Sequence, residues 1–205
     1  MYLSRVKLNT SIRETIKFLS SPQVSHATVE ACFDDSDNTR KLWRLDYYQG
    51  HPYVLLLSQQ KPNLKNMIQQ FGYPEDKGEI WDYQKLLDYL KNGQQYRFRL
   101  CANPVYSIKQ ENGKRGKVVA HITVAQQEDW LRNKSKKSGF HLKQFTVIQR
   151  DLKKFKRQHK YVTISIAVYE GILEISNIDD FKQSLILGVG RAKSYGCGLL
   201  TLAKL

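Results

Sequence analysis

Apolar and polar positions alternate along the chain in short runs that divide it into strands and helices. "YLSRVKL" (2–8) sets Leu3, Val6 and Leu8 among Tyr2, Arg5 and Lys7, the pattern of a first strand with imperfect alternation. In "SSPQVSHATVEACF" (20–33), Val24, Ala27, Thr28 and Ala31 recur at helical spacing, with Ser21 placed as a cap and Pro22 at the first helical position. "LWRLDYYQGHPYVLLLS" (42–58) predicts two strands separated by the glycine-containing break "QGHP". "WDYQKLLDYLKNG" (81–93) predicts a second helix ending at Gly93, with Trp81, Leu86, Leu87 and Leu90 on its apolar side. "QQYRFRLCANP" (94–104) then alternates Tyr96, Phe98 and Leu100 against Arg97, Arg99 and Cys101, a strand with one apolar and one basic face.

That order is βαββαβ, the ferredoxin-like arrangement shared by RNA-recognition domains. The remaining residues repeat it more loosely. Strands are predicted at "VVAHITV", "FHLKQFTVIQ", "KYVTISIAVYEGILEIS" and "CGLLTLAKL", with helices at "AQQEDWLRNKSKKSG" and "NIDDFKQSLILG". The predicted fold class is α+β, with two tandem ferredoxin-like domains: residues 1–104, a Gly- and Lys-rich linker at 105–116, and residues 117–205.

Composition narrows the partner. Thirty-three Lys and Arg against 19 Asp and Glu leave a formal net charge of +14, which attracts polyanions. Between Arg132 and Lys160 there are eleven cations and one acid, Asp151, so this segment holds ten of the fourteen net charges. Single-sign clustering costs self-repulsion unless a polyanion neutralises it, which points to nucleic acid. The densest part, "RDLKKFKRQHK" (150–160), lies between two predicted strands as a protruding hairpin loop or its flanks. Arg150, Lys153, Lys154, Lys156 and Arg157 are therefore candidate phosphate contacts.

No run of about 18 apolar residues and no apolar leader occurs, so neither a membrane span nor a signal peptide is expected. Cys32, Cys101 and Cys197 form no CxxC pair and are expected to be buried thiols of a cytoplasmic protein. The five histidines have no HExxH or HxH spacing, so no metal ligand set is expected. The acidic run Asp34–Asp37 is expected to be a solvated turn. His26 differs by its place on the first predicted helix, where the stripe through Val24, Ala27, Thr28 and Ala31 leaves it facing outward.

The segment "GVGRAKSYGCGLL" (188–200) carries four glycines and two cations. A phosphate-binding P-loop needs GxxxxGK[ST] between a strand and a following helix, whereas this segment follows a predicted helix and precedes a strand. Gly188, Gly190, Gly196 and Gly198 instead suit a backbone that turns sharply and lies close to RNA or to the neighbouring domain, with Arg191 and Lys193 as candidate phosphate contacts.

The opening "MYLSRVKL", His26, "RFRLCANP", "EDWL", "VYEGILEI" and the terminal "GVGRAKSYGCGLLTLAKL" together resemble the CasE family, the type I-E CRISPR-associated repeat endoribonucleases. The resemblance runs from Tyr2 to Leu205 with a divergent middle, and its most specific part is the terminal motif. It implies a metal-independent, cofactor-free endoribonuclease of two ferredoxin-like domains. Such an enzyme cuts precursor CRISPR RNA beside the repeat hairpin, is monomeric when alone, and stays bound to the product with the other Cascade subunits. His26 matches the family's catalytic histidine. Some members have a tyrosine three residues before it, where this chain has Gln23. RNA supplies its own nucleophile, the 2′-hydroxyl, so cleavage needs alignment, proton transfer and stabilisation of the phosphorane charge. The products expected are a 2′,3′-cyclic phosphate and a 5′-hydroxyl. Lys117 is a candidate for the charge-stabilising cation. The alternative is a non-catalytic protein that binds an RNA hairpin.

Overall fold

The computed structural model describes residues 1–34, 36–109, 116–157 and 160–205, with Arg157 and Lys160 described by backbone alone. The chain forms two compact units, Met1–Leu90 with Lys193–Leu199, and Lys91–Ala192 with Leu200–Leu205.

In the first unit β1 (Tyr2–Lys7) is followed by α1 (Arg13–Ser20), α2 (Pro22–Glu30), β2 (Leu42–Tyr48), β3 (His51–Ser58), α3 (Lys65–Phe71), β4 (Glu79–Asp82) and α4 (Gln84–Tyr89). The sheet order is β2-β3-β1-β4 and its pairs are antiparallel, the ferredoxin-like topology. The β2–β3 hairpin turns at Gln49 and Gly50, with φ of 50° and 77°, so His51 and Pro52 belong to β3 and not to the break. Val6, Val54, Leu56 and Trp43 of the sheet pack with Phe18, Val29, Met67 and Phe71 of the helices.

Two sequence expectations change here. Trp81 lies in β4, paired with Leu3 of β1, and the helix begins only at Gln84. The strand at 95–102 is also not the last of the first domain. As β5 (Gln95–Ala102) it pairs with β9 (Lys160–Ile175) and β10 (Leu200–Ala203), so the second unit starts ahead of the expected linker. That linker contains β6 (Val105–Ile108), which pairs with β7 (Lys117–Ala120) in a separate two-stranded sheet. The tip of the linker, residues 110–115, lies outside the described residues.

The second unit continues with α5 (Val124–Ser135), β8 (Phe140–Arg157) and α6 (Ile178–Leu187). Its main sheet has the order β10-β5-β9-β8, which repeats the topology of the first. Thr123 and Gln126 form a capping box on α5, and the Asn177 side chain accepts from the N–H groups of Asp179 and Asp180 on α6. Alternation along β5 holds as expected: Tyr96, Phe98 and Leu100 are buried, while Arg97 and Arg99 line an open groove of about 490 Å³ on the other face. Among the described residues no helix is long and apolar enough to cross a membrane.

Candidate active site

The place of His26 follows from how α2 is held. Ser21 caps the helix by accepting from the Val24 N–H at 3.4 Å, with Pro22 in its first turn. The Ser25 hydroxyl donates to the carbonyl oxygens of Phe18 at 2.6 Å and Ser21 at 3.1 Å, tying α2 to the end of α1. The buried stripe is therefore Pro22, Ser25 and Val29, whereas Ala27 and Ala31 of the expected stripe are exposed. A hydroxyl with two partners can be buried cheaply, and alanine contributes little apolar area. His26, at the edge of this stripe beside Pro22 and Val29 on the helical wheel, is left half-exposed at its side chain, 37% accessible.

Three side chains meet this imidazole or its partner. Glu30, one helical turn on, places Oε1 3.6 Å from His26 Nδ1. Its other oxygen, Oε2, lies 3.2 Å from Lys41 Nζ. Lys41 is buried, donates to the Asp37 carbonyl at 2.5 Å, and sits 5.1 Å above the Phe33 ring. From the glycine-rich segment, Tyr195 presents its ring 6.2 Å from the His26 ring in an edge-to-face arrangement, at an interplanar angle of 66°.

Asp37 is not the solvated turn residue expected. It is buried, and the Thr39 hydroxyl donates to its Oδ1 at 2.6 Å, which with the Thr39 N–H and Lys41 holds the carboxyl below its ordinary range despite burial. Asp34 is exposed, and Asp35 lies outside the described residues. Among the described residues no group of three or more His, Cys, Asp and Glu side chains is arranged to hold a metal ion.

The segment that delivers Tyr195 is pinned within the same unit. Arg44 of β2 donates from Nη1 to the Leu199 carbonyl at 3.0 Å. Gly196, at φ of 81°, lies so close to Trp43 that a Cβ there would stand 3.1 Å from the indole ring. Lys193 opens the short 3-10 turn, Lys193–Tyr195, and is half-buried. Of the expected RNA contacts, only Lys193 belongs to the unit that holds His26.

The other candidates lie in the second unit. Lys117 is exposed at the start of β7, and Arg191 is exposed with its backbone bridged to Asn103. The basic segment 150–157 is strand, so of the two expected places it takes the flank of the β8–β9 hairpin and not the loop. Beyond the Ala102–Ala167 pair no third strand lies beside β9 among the described residues, and there β8 and β9 continue as a two-stranded ribbon for about 20 Å at 3.3 Å per residue. Strand alternation splits the cations. Arg150, Lys154 and Lys156 share the exposed face with Tyr161, over whose ring Lys154 Nζ lies at 5.1 Å. Lys153 is half-buried on the opposite face with Phe155. Arg150 donates to the Ile122 carbonyl, and the Arg157 side chain lies outside the described residues.

Glu30, Lys41 and Tyr195 were not singled out in the sequence. Only Glu30 carried a local signal, its i+4 spacing from His26.

Comparison with known proteins adds three findings. A family model described as CRISPR associated protein matches residues 1–204. The CRISPR-associated endoribonuclease Cse3 of Thermus thermophilus is 27% identical over 220 residues, spanning 99% of this chain and 100% of the relative. Among solved structures, the Thermus thermophilus Cse3 bound to an RNA representing a pre-cleavage complex superposes with a TM-score of 0.82 at 26% identity, over 98% of each chain. Cas6e from Escherichia coli str. K-12 gives a TM-score of 0.70 at 25% identity, over 100% of each.

Proposed function

The chain belongs to the CRISPR associated protein family, and from that premise we propose that it is an endoribonuclease that cleaves precursor CRISPR RNA within its repeats, beside the repeat hairpin. It works in the cytoplasm without a metal ion and stays bound to the mature RNA as a subunit of an RNA-guided surveillance complex. The observation that carries this is His26: an imidazole half-exposed on α2, with a carboxylate at one ring nitrogen and an aromatic ring at its edge.

The chemistry asked of the protein is small. The 2′-hydroxyl next to the scissile phosphate attacks in line, giving a 2′,3′-cyclic phosphate and releasing a 5′-hydroxyl. One proton leaves the attacking oxygen and one reaches the departing oxygen. His26 serves one of these transfers, because an imidazole can both accept and donate a proton and this one reaches solvent. Lys193, in the turn that brings Tyr195 to His26, is assigned the developing charge on the phosphorane. In the second unit the exposed face of the β8–β9 ribbon holds the hairpin backbone through Lys154 and Lys156, with Lys117, Arg150, Lys153, Arg157 and Arg191 as lesser contacts.

The test is cleavage of a labelled CRISPR repeat in EDTA by wild type and His26→Ala. Wild type is expected to shorten the RNA with chelator present, and His26→Ala to bind it with near-normal affinity and leave it intact. An alanine variant that cuts at the wild-type rate removes His26 from the mechanism. A wild type that shifts the RNA without shortening it makes the protein a binder only.

A further inference from the structure

A histidine that transfers protons to and from RNA must keep one ring nitrogen for the RNA and have its proton held at the other. In free neutral imidazole side chains the proton favours Nε2, so a site that works through Nε2 has to hold it at Nδ1. The surroundings of His26 are arranged to favour this. Glu30 Oε1 faces Nδ1 at 3.6 Å, an ion-pair distance just beyond a hydrogen bond, and its negative charge favours a proton on that nitrogen; Glu30 lies on the same helix, so the pair is set by helical spacing. Glu30 itself is 46% exposed and would swing freely if held only there. It is held at its other oxygen by Lys41, whose side chain is 4% exposed and which is fixed by the Asp37 carbonyl.

We propose that Glu30, anchored by Lys41, is the positioning residue for His26: it holds the proton on Nδ1 and presents Nε2 to the RNA. This rests on the reading of His26 as the proton-transfer group and goes beyond it by assigning the ring's tautomer. It serves either direction of transfer. A base accepts the proton at Nε2, and the resulting imidazolium keeps Nδ1–H against the carboxylate. An acid gives its proton from Nε2 and is left with the same Nδ1–H form. Glu30 on its own helix and Tyr195 from the glycine-rich segment meet the ring, with Lys41 behind Glu30 and Asp37 behind Lys41, both from the segment ahead of β2.

Lys41 makes the inference testable by an isosteric change. In Glu30→Gln the ammonium of Lys41 requires the amide oxygen on its side, which turns the amide NH2 toward Nδ1. An N–H donor at Nδ1 demands a lone pair there, so the neutral ring must move its proton to Nε2, the wrong tautomer for transfer to RNA. Glu30→Gln changes neither volume nor helix propensity appreciably, so the fold is retained.

The experiment uses the full chain, with two readouts. Two-bond proton–nitrogen NMR of the neutral His26 ring is expected to show Nδ1–H in wild type and Nε2–H in Glu30→Gln. Single-turnover cleavage of the repeat RNA is expected to fall by at least about tenfold in Glu30→Gln, with the dissociation constant for the RNA unchanged. The same tautomer in both proteins, or cleavage by Glu30→Gln at the wild-type rate, overturns the proposal. Failure of the functional reading looks different: wild type would leave the RNA uncut while the tautomer still changed between the two proteins.

Discussion

Neutralising one face of the β8–β9 ribbon separates electrostatic holding of RNA from general basicity. In Lys154→Gln/Lys156→Gln, two cations two residues apart on the exposed face are lost, about 6.6 Å from one another along the strand. If each meets one phosphate, the slope of log K against log salt falls by about 0.9 per contact, or about 1.8 for the pair. A rise from 50 to 200 mM salt is a factor of four. Over that range the wild type is expected to lose about tenfold more affinity than the double variant. Lys153→Gln removes one charge from the half-buried face, opposite Ile164, and as a lesser contact is expected to lower the slope by well under about 0.9. The assay is filter binding of the repeat hairpin to each protein across a salt titration. An unchanged slope in the double variant, or an equal drop in Lys153→Gln, would refute the assignment of RNA to this face.

Two further outcomes follow from local geometry. Tyr195→Phe keeps the ring edge against His26 and is expected to cleave within about twofold of wild type, whereas Tyr195→Ala loses an edge-to-face contact of roughly 0.5–1.5 kcal/mol and slows about 2- to 10-fold in single turnover; a phenylalanine variant as slow as the alanine one would refute a packing role. Burial pushes the Cys32 thiol up to about 11, and Cys101 and Cys197 are also buried, so native protein at pH 7.5 is expected to resist alkylation until denatured. Rapid labelling of Cys32 in the native state, read by mass spectrometry, would contradict this.

What the sequence made legible was local. The caps of α2 and the alternation of β5 were visible because each depends on residues within a few positions. β4 was misread because only Ile80 of its four residues is even partly buried, which leaves no alternation to see, while Trp81 fits a helical stripe drawn with Leu87 and Leu90. Losing β4 drew β5 into the first domain, and its true partners, β9 and β10, come from distant parts of the chain. α1 was missed because it buries only Thr15 and Phe18, too few positions to mark a period. The same division runs through the site. His26 was reached by its helix and by resemblance, and Glu30 lay within reach by spacing. Lys41 and Tyr195 meet that pair only through packing that no local pattern encodes.

The glycine-rich segment shows why its glycines and its cations require separate explanations. Gly190 lies 3.1 Å, measured from a would-be Cβ, from the Trp130 ring within the second unit, and Gly196 lies equally close to Trp43 within the first. Both have φ above 80°, a region that costs a side chain bearing Cβ, so each site excludes larger residues by backbone and by contact together. At Gly190 and Gly196 the bare backbone thus accommodates two tryptophans of the protein itself, which explains these two glycines without RNA. Between the two contacts the chain leaves the second unit, after Ala192, and it returns to that unit at Leu200. Those seven residues carry the 3-10 turn, and the turn sets the Tyr195 ring at the edge of His26. A segment expected from the sequence to lie against RNA or the neighbouring domain thus meets His26 through an aromatic side chain, with Lys193 on the same turn.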